Sequence, residues 1–465
     1  MKMLKRLHNP KYSGWNWIKN HSFKIIHNGL QWLRQHIDAS RTNMLLITLA
    51  AGLLVVYLPK TIVYFRCYTR PYITFESDFT QVFHLSDTVP TLEYSVGESR
   101  WKPLVTQNIV FGGTRGKLLL RGRSCVGTNG AIISFASNAE VVCTGDIRTL
   151  VDYKNYDKAE TSEAKFRFLF KNCKQLVTAP ELPTEDLAES CYMYMFSRCT
   201  SLQTAPELPA LKLAKECYTG MFSGCTSLEN PPELRAMKMD YRCYSSMFSG
   251  CTSLKGLPRL PATTLAESCY AAMFMDCTSL TWVPRLQADT LAKMCYMSMF
   301  AGCTSLKFVA ELPAMNLAEM CYFSMFSNCT SLETTPRILP AKIMASNCYA
   351  SMFSNCTSLK RSPVLPAERL TFSCYSHMFE GCTSLSEITM LAPRIVQLNC
   401  INWVEDVHSS GVFYINKDAQ WINDSIVPQD LRFSTHIIPP GWTVELIDPE
   451  DKNAKPYLFE GHISK

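Results

Sequence analysis

The segment Cys191-Tyr-Met-Tyr-Met-Phe-Ser-Arg-Cys-Thr-Ser-Leu202 is one copy of a pattern, Cys-Tyr-x-x-Met-Phe-x-x-Cys-Thr-Ser-Leu, that occurs eight times in succession. The copies begin at Cys191, Cys217, Cys243, Cys269, Cys295, Cys321, Cys348 and Cys374. They are 26 residues apart, except for one interval of 27 with an extra residue near Ile338 and Leu339. A strict period of this size predicts a solenoid, because each unit is too small to bury its own apolar face and must stack on its neighbours.

Each unit divides into two halves with different backbone preferences. In the first half Leu187, Cys191 and Met195 are four residues apart, which predicts a helix or tight helical turns with these side chains on one stripe. The second half carries proline, which cannot continue a helix, and is predicted to form one short strand per unit. Stacking then gives a narrow parallel sheet whose ladder lapses at each proline. These prolines are Pro180, Pro206, Pro232, Pro258, Pro284, Pro336 and Pro363, with Ala310 at the equivalent position of one unit.

The repeated pattern resembles the bacterial-surface-protein (BspA-like) class of leucine-rich repeat. The core of that family, Ile-Gly-x-x-Ala-Phe-x-x-Cys-x-x-Leu, aligns with the repeated pattern of this chain, which has Cys at the Ile site and Met at the Ala site. The resemblance covers roughly Phe166 to Asp406, with a degenerate first unit around Phe168–Cys173 and a degenerate last one at Cys400–Trp403. It implies an α/β leucine-rich-repeat solenoid of short parallel strands plus helical turns. For biochemical activity it is weak, because the family is defined by its framework.

The N-terminal region predicts a membrane anchor. Residues 1–43 carry eight Lys and Arg against one Asp, which accounts for the whole net charge of +6, so the charge gives no reason to expect a nucleic-acid partner. The tail also has a partly amphipathic helical pattern. It precedes the apolar run Met44–Phe65, which would span about 33 Å as a helix, enough for the hydrocarbon layer of about 30 Å. Cations upstream favour a cytoplasmic N-terminus and an extracytoplasmic location for the rest, while a cleaved signal peptide is the competing interpretation.

Two further segments flank the repeats. Residues 68–160 alternate strand-like runs with glycine turns, which predicts a small antiparallel β domain before the solenoid at 161–405. Residues 406–465 resemble the closing segment of multi-repeat surface proteins. We expect this segment to cover the last layer, since an open terminal layer would expose apolar surface and strand edges.

Most of the 21 cysteines belong to the repeats. Partners eight residues apart in a helix are about 12 Å apart, beyond the roughly 7 Å limit for a bridge. The absence of Cys-x-x-Cys and of histidine at ligand spacing gives no support for zinc. We expect both cysteines of each unit to pack inward as small apolar residues, with bridges between neighbouring layers as the alternative in an oxidising compartment.

Recognition is expected at the positions that vary beside the strand. Two residues after the repeated Leu are Thr178, Thr204, Asn230, Gly256, Trp282, Phe308, Thr334 and Arg361. Five residues after it are Glu181, Glu207, Glu233, Arg259, Arg285, Glu311, Arg337 and Val364. Because aromatic and Arg side chains dominate interface energetics, the predicted centre of a binding face combines both types. It comprises Arg259, Trp282, Arg285, Phe308 and Arg337. Rim packing of the two aromatic side chains is the alternative.

No enzyme motif stands out. There is no Gly-x-Ser-x-Gly, phosphate loop or His-Glu-x-x-His. His377 near Cys374 could suggest Cys-His catalysis, but a histidine occurs at this position in only one of the eight units. Asn328-Cys-Thr330 and Asn355-Cys-Thr357 match the acceptor pattern for N-glycosylation, but they arise from the repeated sequence itself. The sequence therefore predicts a non-catalytic surface protein without cofactor, single-pass in the membrane, that binds a protein or glycan. The alternative is a passive spacer or scaffold in a membrane or phage-related assembly.

Overall fold

A computed structural model describes residues 70–97, 99–105, 108–419 and 437–449. The described residues from Pro71 onward belong to one compact unit. The predicted basic tail at 1–43 and the predicted anchor at Met44–Phe65 lie outside the described residues. Within these ranges no helix has both the length and the apolar character needed to cross a membrane.

Fifteen strands and four short 3-10 helices make up the regular structure of the described ranges. The strands are β1 (Ile73–Glu76), β2 (Gln81–Leu85), β3 (Glu93–Val96), β4 (Lys102–Pro103), β5 (Ile109–Phe111), β6 (Leu118–Arg121), β7 (Ile133–Phe135), β8 (Val141–Thr144), β9 (Leu176–Thr178), β10 (Trp282–Val283), β11 (Phe308–Val309), β12 (Arg361–Leu365), β13 (Glu387–Met390), β14 (Val412–Asn416) and β15 (Thr443–Ile447). The 3-10 helices are Gly113–Arg115, Ile147–Leu150, Tyr156–Lys158 and Gln397–Asn399.

The N-terminal strands form two sheets that face each other across an apolar core, and all strand pairs but one are antiparallel. One sheet has the order β4-β3-β6-β1-β8-β9 and the other has the order β5-β2-β7. Alternating residues of these strands are buried, among them Phe75 and Phe83, whose ring centroids are 5.7 Å apart. The pairing of β8 with β9 is parallel, and β9 belongs to the first repeat unit. The sheet therefore passes without a break from the predicted β domain into the solenoid.

The first half of each unit is a chain of hydrogen-bonded turns, which we call the turn side. Every second amide donates to the carbonyl three residues earlier, as Met195 N does to Tyr192 O at 3.1 Å. The amides in between donate to the next layer, as Phe196 N does to Met221 O at 2.9 Å. Of the two predicted alternatives, the helix was wrong and tight turns are present: no α-helix occurs in the described ranges, because half of these amides bond between layers rather than within one.

A left-handed residue at every fourth position explains why the turn side cannot be helical. In the unit whose pattern begins at Cys191 these residues are Ser190, Tyr194 and Arg198, with φ of 57°, 52° and 60°. A right-handed helix requires negative φ throughout, so this period of four is a property of the turns. The spacing still brings Cys191 and Met195 to the same interior, where each is at most 2% exposed. The inward positions were predicted correctly, although the backbone that creates them was not.

The second half of each unit, the strand side, is extended and weakly paired. Several layers are joined there by isolated bridges, such as Thr178 to Thr204 and Thr204 to Asn230, and not by full ladders. Where β12 contains Pro363, its register with β13 shifts between Arg361 and Val364. The proline-free strands β13 and β14 pair through four consecutive residues. The predicted interruption of the ladder is therefore confirmed.

Two columns of stacked rings run through the interior of the solenoid. Phenylalanines from Phe170 to Phe379 stack with centroids 5.3–5.9 Å apart and planes within 10° of parallel. Tyrosines from Tyr192 to Tyr375 form a second column with spacings of 5.6–6.1 Å. Burial of each such side chain contributes about 1.5–3 kcal/mol, so the columns supply much of the stability of the stack.

Trp403 ends both ring columns at the C-terminal side. Its ring lies 6.3 Å from that of Tyr375 and 6.0 Å from that of Phe379, and it is fully buried. Beyond it, β14 and β15 add two parallel strands to the sheet. In the last strand Val444 and Leu446 are 41% and 61% exposed. The segment at 406–465 thus continues the sheet, and within the described ranges its outermost strand remains open to solvent.

Candidate binding surface

Two aromatic side chains lie next to each other on the strand side. Trp282 in β10 pairs in parallel register with Phe308 in β11, and their side chains are 49% and 51% exposed. The following residues, Val283 and Val309, point into the core and are almost fully buried. Strand alternation therefore fixes the outward direction of both rings, and burial of the valines holds them there. If the two rings only packed over the edge of the sheet, most of each residue would be buried, whereas about half of each is exposed.

The two variable stripes occupy the surface as predicted, with one exception. In the first stripe Thr178 and Gly256 are half-buried, and the other members are exposed. In the second stripe seven members are exposed, whereas Val364 is buried at 9%. Val364 lies at the register shift of β12, between Arg361 and Val364, and it is bridged to Ile338. The stripe thus loses its outward position in this strand.

The predicted arginines line up beside the aromatic pair. Arg259 and Arg285 are exposed in successive layers, and neighbouring strands are about 4.8 Å apart. Arg337 is two layers further along, and its backbone amide donates to Glu311 Oε1 at 3.3 Å. The structure therefore brings Trp282 and Phe308 together, and the exposed stripe beside them carries Arg259, Arg285, Glu311 and Arg337 in successive layers.

Comparison with protein families identifies the framework that carries this surface. The BspA type leucine rich repeat region matches in six copies, over residues 167–281, 241–360 and 267–400, which together span just over half of the chain. The chain belongs to the BspA-type leucine-rich repeat family. Among solved structures, a leucine rich repeat protein from T. pallidum matches with 18% identity and a TM-score of 0.23, over 50% of this chain and 84% of that one. Comparison with curated proteins gives no match.

Each unit of this BspA-type solenoid uses its second cysteine as a hydrogen-bond donor. Cys225 Sγ donates to Phe196 O of the preceding layer at 3.1 Å, and Phe196 O also accepts from Cys199 N at 3.0 Å. Equivalent thiol bonds of 3.0–3.2 Å recur in all eight units. The thiol thus satisfies the second lone pair of a buried carbonyl, in addition to filling space.

Burial keeps these thiols protonated. All sixteen cysteines of the eight patterns are buried and carry free thiols. Desolvation raises the pKa of Cys251 and of Cys303 to about 12. Since the thiolate is the nucleophile and the metal ligand, these side chains are poorly suited to either role at neutral pH. The inward packing predicted for both columns is confirmed.

The only histidine within the repeat patterns does not face a thiol. His377 Nδ1 lies 2.9 Å from Glu380 Oε2, whereas Cys374 Sγ lies 3.8 Å from Asn399 O. The two side chains therefore engage different partners. Across the residues described, no group of three or more His, Cys, Asp or Glu side chains is arranged to hold a metal.

Sequence reasoning missed a second, partly buried feature, which we call the arginine–aromatic cluster. The guanidinium of Arg121 lies between two rings, 4.0 Å from the centroid of Trp101 and 4.2 Å from that of Tyr153. Arg121 Nε also donates to Glu93 Oε2 at 2.6 Å, and Tyr72 meets the Trp101 ring edge-on at 5.0 Å. One signal was available in the sequence: Trp101 is the sole tryptophan in residues 68–160.

Proposed function

We propose that this chain is a non-catalytic, membrane-anchored surface protein that binds a protein or glycan ligand through the strand side of its solenoid. The observation that carries the proposal is the in-register pair of Trp282 and Phe308, each about half exposed. Membership of a family of repeat scaffolds supports a binding role. The predicted anchor at Met44–Phe65 would attach the scaffold to the membrane and present it outside the cytoplasm.

A rigid platform explains why this surface suits binding. Association is opposed by the ordering of loops and side chains at the interface, and a surface that is already ordered reduces this cost. Trp282 and Phe308 lie on strands whose neighbouring valines are locked in the core. Aromatic and Arg side chains carry most of the energy in protein interfaces, and both types occur here together.

Substitution of both aromatic residues tests the proposal. The double variant Trp282→Ser, Phe308→Ser removes exposed rings and leaves the core intact, so its melting temperature should match that of the native protein. Capture of partners from host and bacterial surface extracts should fall. The matched control is Leu211→Ser, Met237→Ser, because these side chains are 60% and 55% exposed in adjacent layers outside the aromatic pair.

The outcomes separate recognition from a spacer role. Loss of specific partners in the aromatic variant, with none lost in the control, supports recognition. An identical set of partners for both variants favours a passive spacer. A lower melting temperature with unchanged capture assigns the rings to packing.

The membrane part has its own test. The full-length protein should remain in the membrane pellet after carbonate extraction, and the double variant Leu54→Arg, Val55→Arg should shift it to the supernatant, because charge at the centre of an apolar span is costly. Protease added outside intact cells should cleave the solenoid of the native protein. Retention of the double variant in the pellet would contradict a single span at this position.

A further inference from the structure

The second variable stripe changes the sign of its charge part-way along the strand side. Its first five members are, in order, Glu181, Glu207, Glu233, Arg259 and Arg285, and all five are exposed. Glu233 also pairs with Arg235 of its own strand at 2.9 Å, but its side chain is still 81% exposed. The acidic half of the stripe is therefore complementary to the basic half.

The first variable stripe changes side-chain size at the same place. Its first three members, Thr178, Thr204 and Asn230, are small, and the next, Gly256, has no side chain. A Cβ at Gly256 would meet nothing within 4 Å, so the surface is open there. The large rings of Trp282 and Phe308 follow in the next two layers. The half with small side chains thus coincides with the acidic half, and the rings lie in the other half.

Stacking is continuous across the layers where both stripes change. The backbone amide of Lys255 donates to Glu229 O at 3.0 Å, which joins the layer of Gly256 to that of Asn230. Lys255 Nζ and Glu229 Oε2 form an ion pair at 3.0 Å between the same layers. Thr264 is bridged to Thr290, which joins the layer of Gly256 to that of Trp282. The two halves therefore belong to one surface with a layer spacing of about 4.8 Å.

We infer that this surface binds a second copy of the chain in antiparallel orientation. The two-fold axis runs parallel to the strands, between the layers of Asn230 and Gly256. The inference rests on the proposed function and names its protein partner. A two-fold axis at this place sets each layer on the acidic side against the equally distant layer on the basic side, and every contact occurs twice.

This register joins opposite charges near its centre. The opposed pairs are Glu233 with Arg259, Glu207 with Arg285, and Glu229 with Lys255. One contact between like charges remains at the outer end, where Glu181 meets Glu311 of the partner. A parallel arrangement would instead set each layer against its own counterpart, with acidic layers facing acidic layers and basic layers facing basic layers. Electrostatic complementarity therefore selects the antiparallel order.

The same register matches large side chains with small ones. Trp282 faces Thr204 of the partner, and Phe308 faces Thr178. Each ring is about half exposed in one copy, and small threonine side chains leave room for it in the other. Charge and size are independent properties of the sequence, and both fit the same axis.

The size of the contact predicts weak association. The register covers the layers from Thr178 to Phe308, about 29 Å along the stack, and about 13 Å along the strands. This area is at the low end for specific interfaces, so the dimer should depend on concentration in the micromolar range. Sedimentation equilibrium of the full-length protein in detergent should show a monomer–dimer equilibrium. The dimer should weaken between about 0.05 and 0.5 M salt, because salt screens exposed charges.

Two charge-reversal variants test the register. The first is Arg259→Glu, Arg285→Glu, and the second is Glu207→Arg, Glu233→Arg. Each variant alone sets like charges against each other, so its dimer affinity should fall at least about tenfold. An equimolar mixture of the two should form a heterodimer at least as tight as the native dimer, because all four of these contacts then join opposite charges. Recovery in the mixture also shows that both variants are folded.

The matched control is Lys212→Glu, Lys238→Glu. These lysines are exposed in adjacent bridged layers, five residues beyond the second stripe. The control should dimerise as tightly as the native protein. A fall in dimer affinity as large as that of the two charge-reversal variants would assign the effect to net charge and reject the register.

Other results would overturn the inference and leave the proposed function standing. A native protein that is monomeric throughout the micromolar range would reject the dimer. A dimer that both charge-reversal variants retain would place self-association elsewhere on the chain. In either case, loss of captured partners in Trp282→Ser, Phe308→Ser would still support the proposed function. A mixture of the two charge-reversal variants that stays monomeric would reject the antiparallel contacts.

Discussion

The turn side and the strand side of each layer differ in how completely the backbone is hydrogen-bonded and in how much the sequence varies between units. On the turn side nearly every amide is bonded, half of them to the next layer, and the same buried side chains recur in all eight units. On the strand side proline interrupts the ladder and exposed residues differ from unit to unit. Stability is therefore concentrated on one side, which leaves the other side free to vary and to carry recognition.

Alkaline pH should lower the free energy of unfolding through the buried thiols of the turn side. Burial raises the pKa of Cys251, Cys303 and Cys382 to about 12, against 9.0 for an exposed thiol. Below pH 9 both folded and unfolded thiols are neutral. Above it the unfolded state loses protons first, so the free energy of unfolding falls until pH passes the folded pKa.

Each buried thiol should contribute about 1.4 kcal/mol per pH unit to this loss. Thermal melts between pH 7 and 11 should show a steep fall in melting temperature above about pH 9. A melting temperature that is flat to pH 11 would mean that the thiols are not buried as free thiols.

A matched pair of phenylalanines compares the two sides directly. Phe300 is fully buried in the ring column, whereas Phe308 is 51% exposed on the strand side. Phe300→Ala should lower the free energy of unfolding by about 3–5 kcal/mol, because it leaves a cavity. Phe308→Ala should change it by less than about 0.5 kcal/mol. Urea denaturation measures both, and similar costs at the two positions would contradict the division into sides.

Two glycines give a smaller contrast. Gly302 is on the turn side with φ of +74°, and a Cβ there would collide with the Asp276 carboxylate. Gly302→Ala should cost about 1–2 kcal/mol, since a Cβ is strained in the left-handed region. Gly256, on the strand side, has open space around it. Gly256→Ala should be neutral or slightly stabilising in the same assay, and a cost equal to that of Gly302→Ala would argue against strain as the cause.

A small effect is also expected for Ala310→Pro. Seven other units carry proline at this position, so the strand side should accept it here. The change removes the hydrogen bond from Ala310 N to Val283 O, 3.2 Å long, but it also restricts the unfolded chain. The net change in unfolding free energy should be within about 1 kcal/mol. A loss above 3 kcal/mol would show that this layer depends on its ladder.

Much of the fold could be predicted because each inward-facing position occurs in all eight copies of the pattern. The helix was wrong because turns with a period of four bring Cys191 and Met195 to one side almost as a period of 3.6 would. A contrary signal was present: the residue before the second cysteine is Gly, Asn or Asp in seven of the eight patterns. These residues tolerate the left-handed conformation that the turns require.

The exposed aromatic pair could also be predicted, since variable positions beside a strand lie at a fixed place in the unit. The arginine–aromatic cluster could not. Arg121 meets Glu93 through strand pairing across 28 residues, and it meets Tyr153 through a loop. No repeat marks these positions, so their proximity depends on a tertiary arrangement that a single sequence does not encode in any local pattern.

Trp403 closes the ring columns with a residue that lies outside the eight patterns, and Phe75 meets Phe170 at the other end with a centroid distance of 6.2 Å. Both terminal contacts are thus independent of how many units stand between them. Recombination between copies of the gene segment could add or delete whole units while every junction stays intact. The length of the stack of repeats, about 5 Å per unit, would then follow from the number of units that the gene encodes.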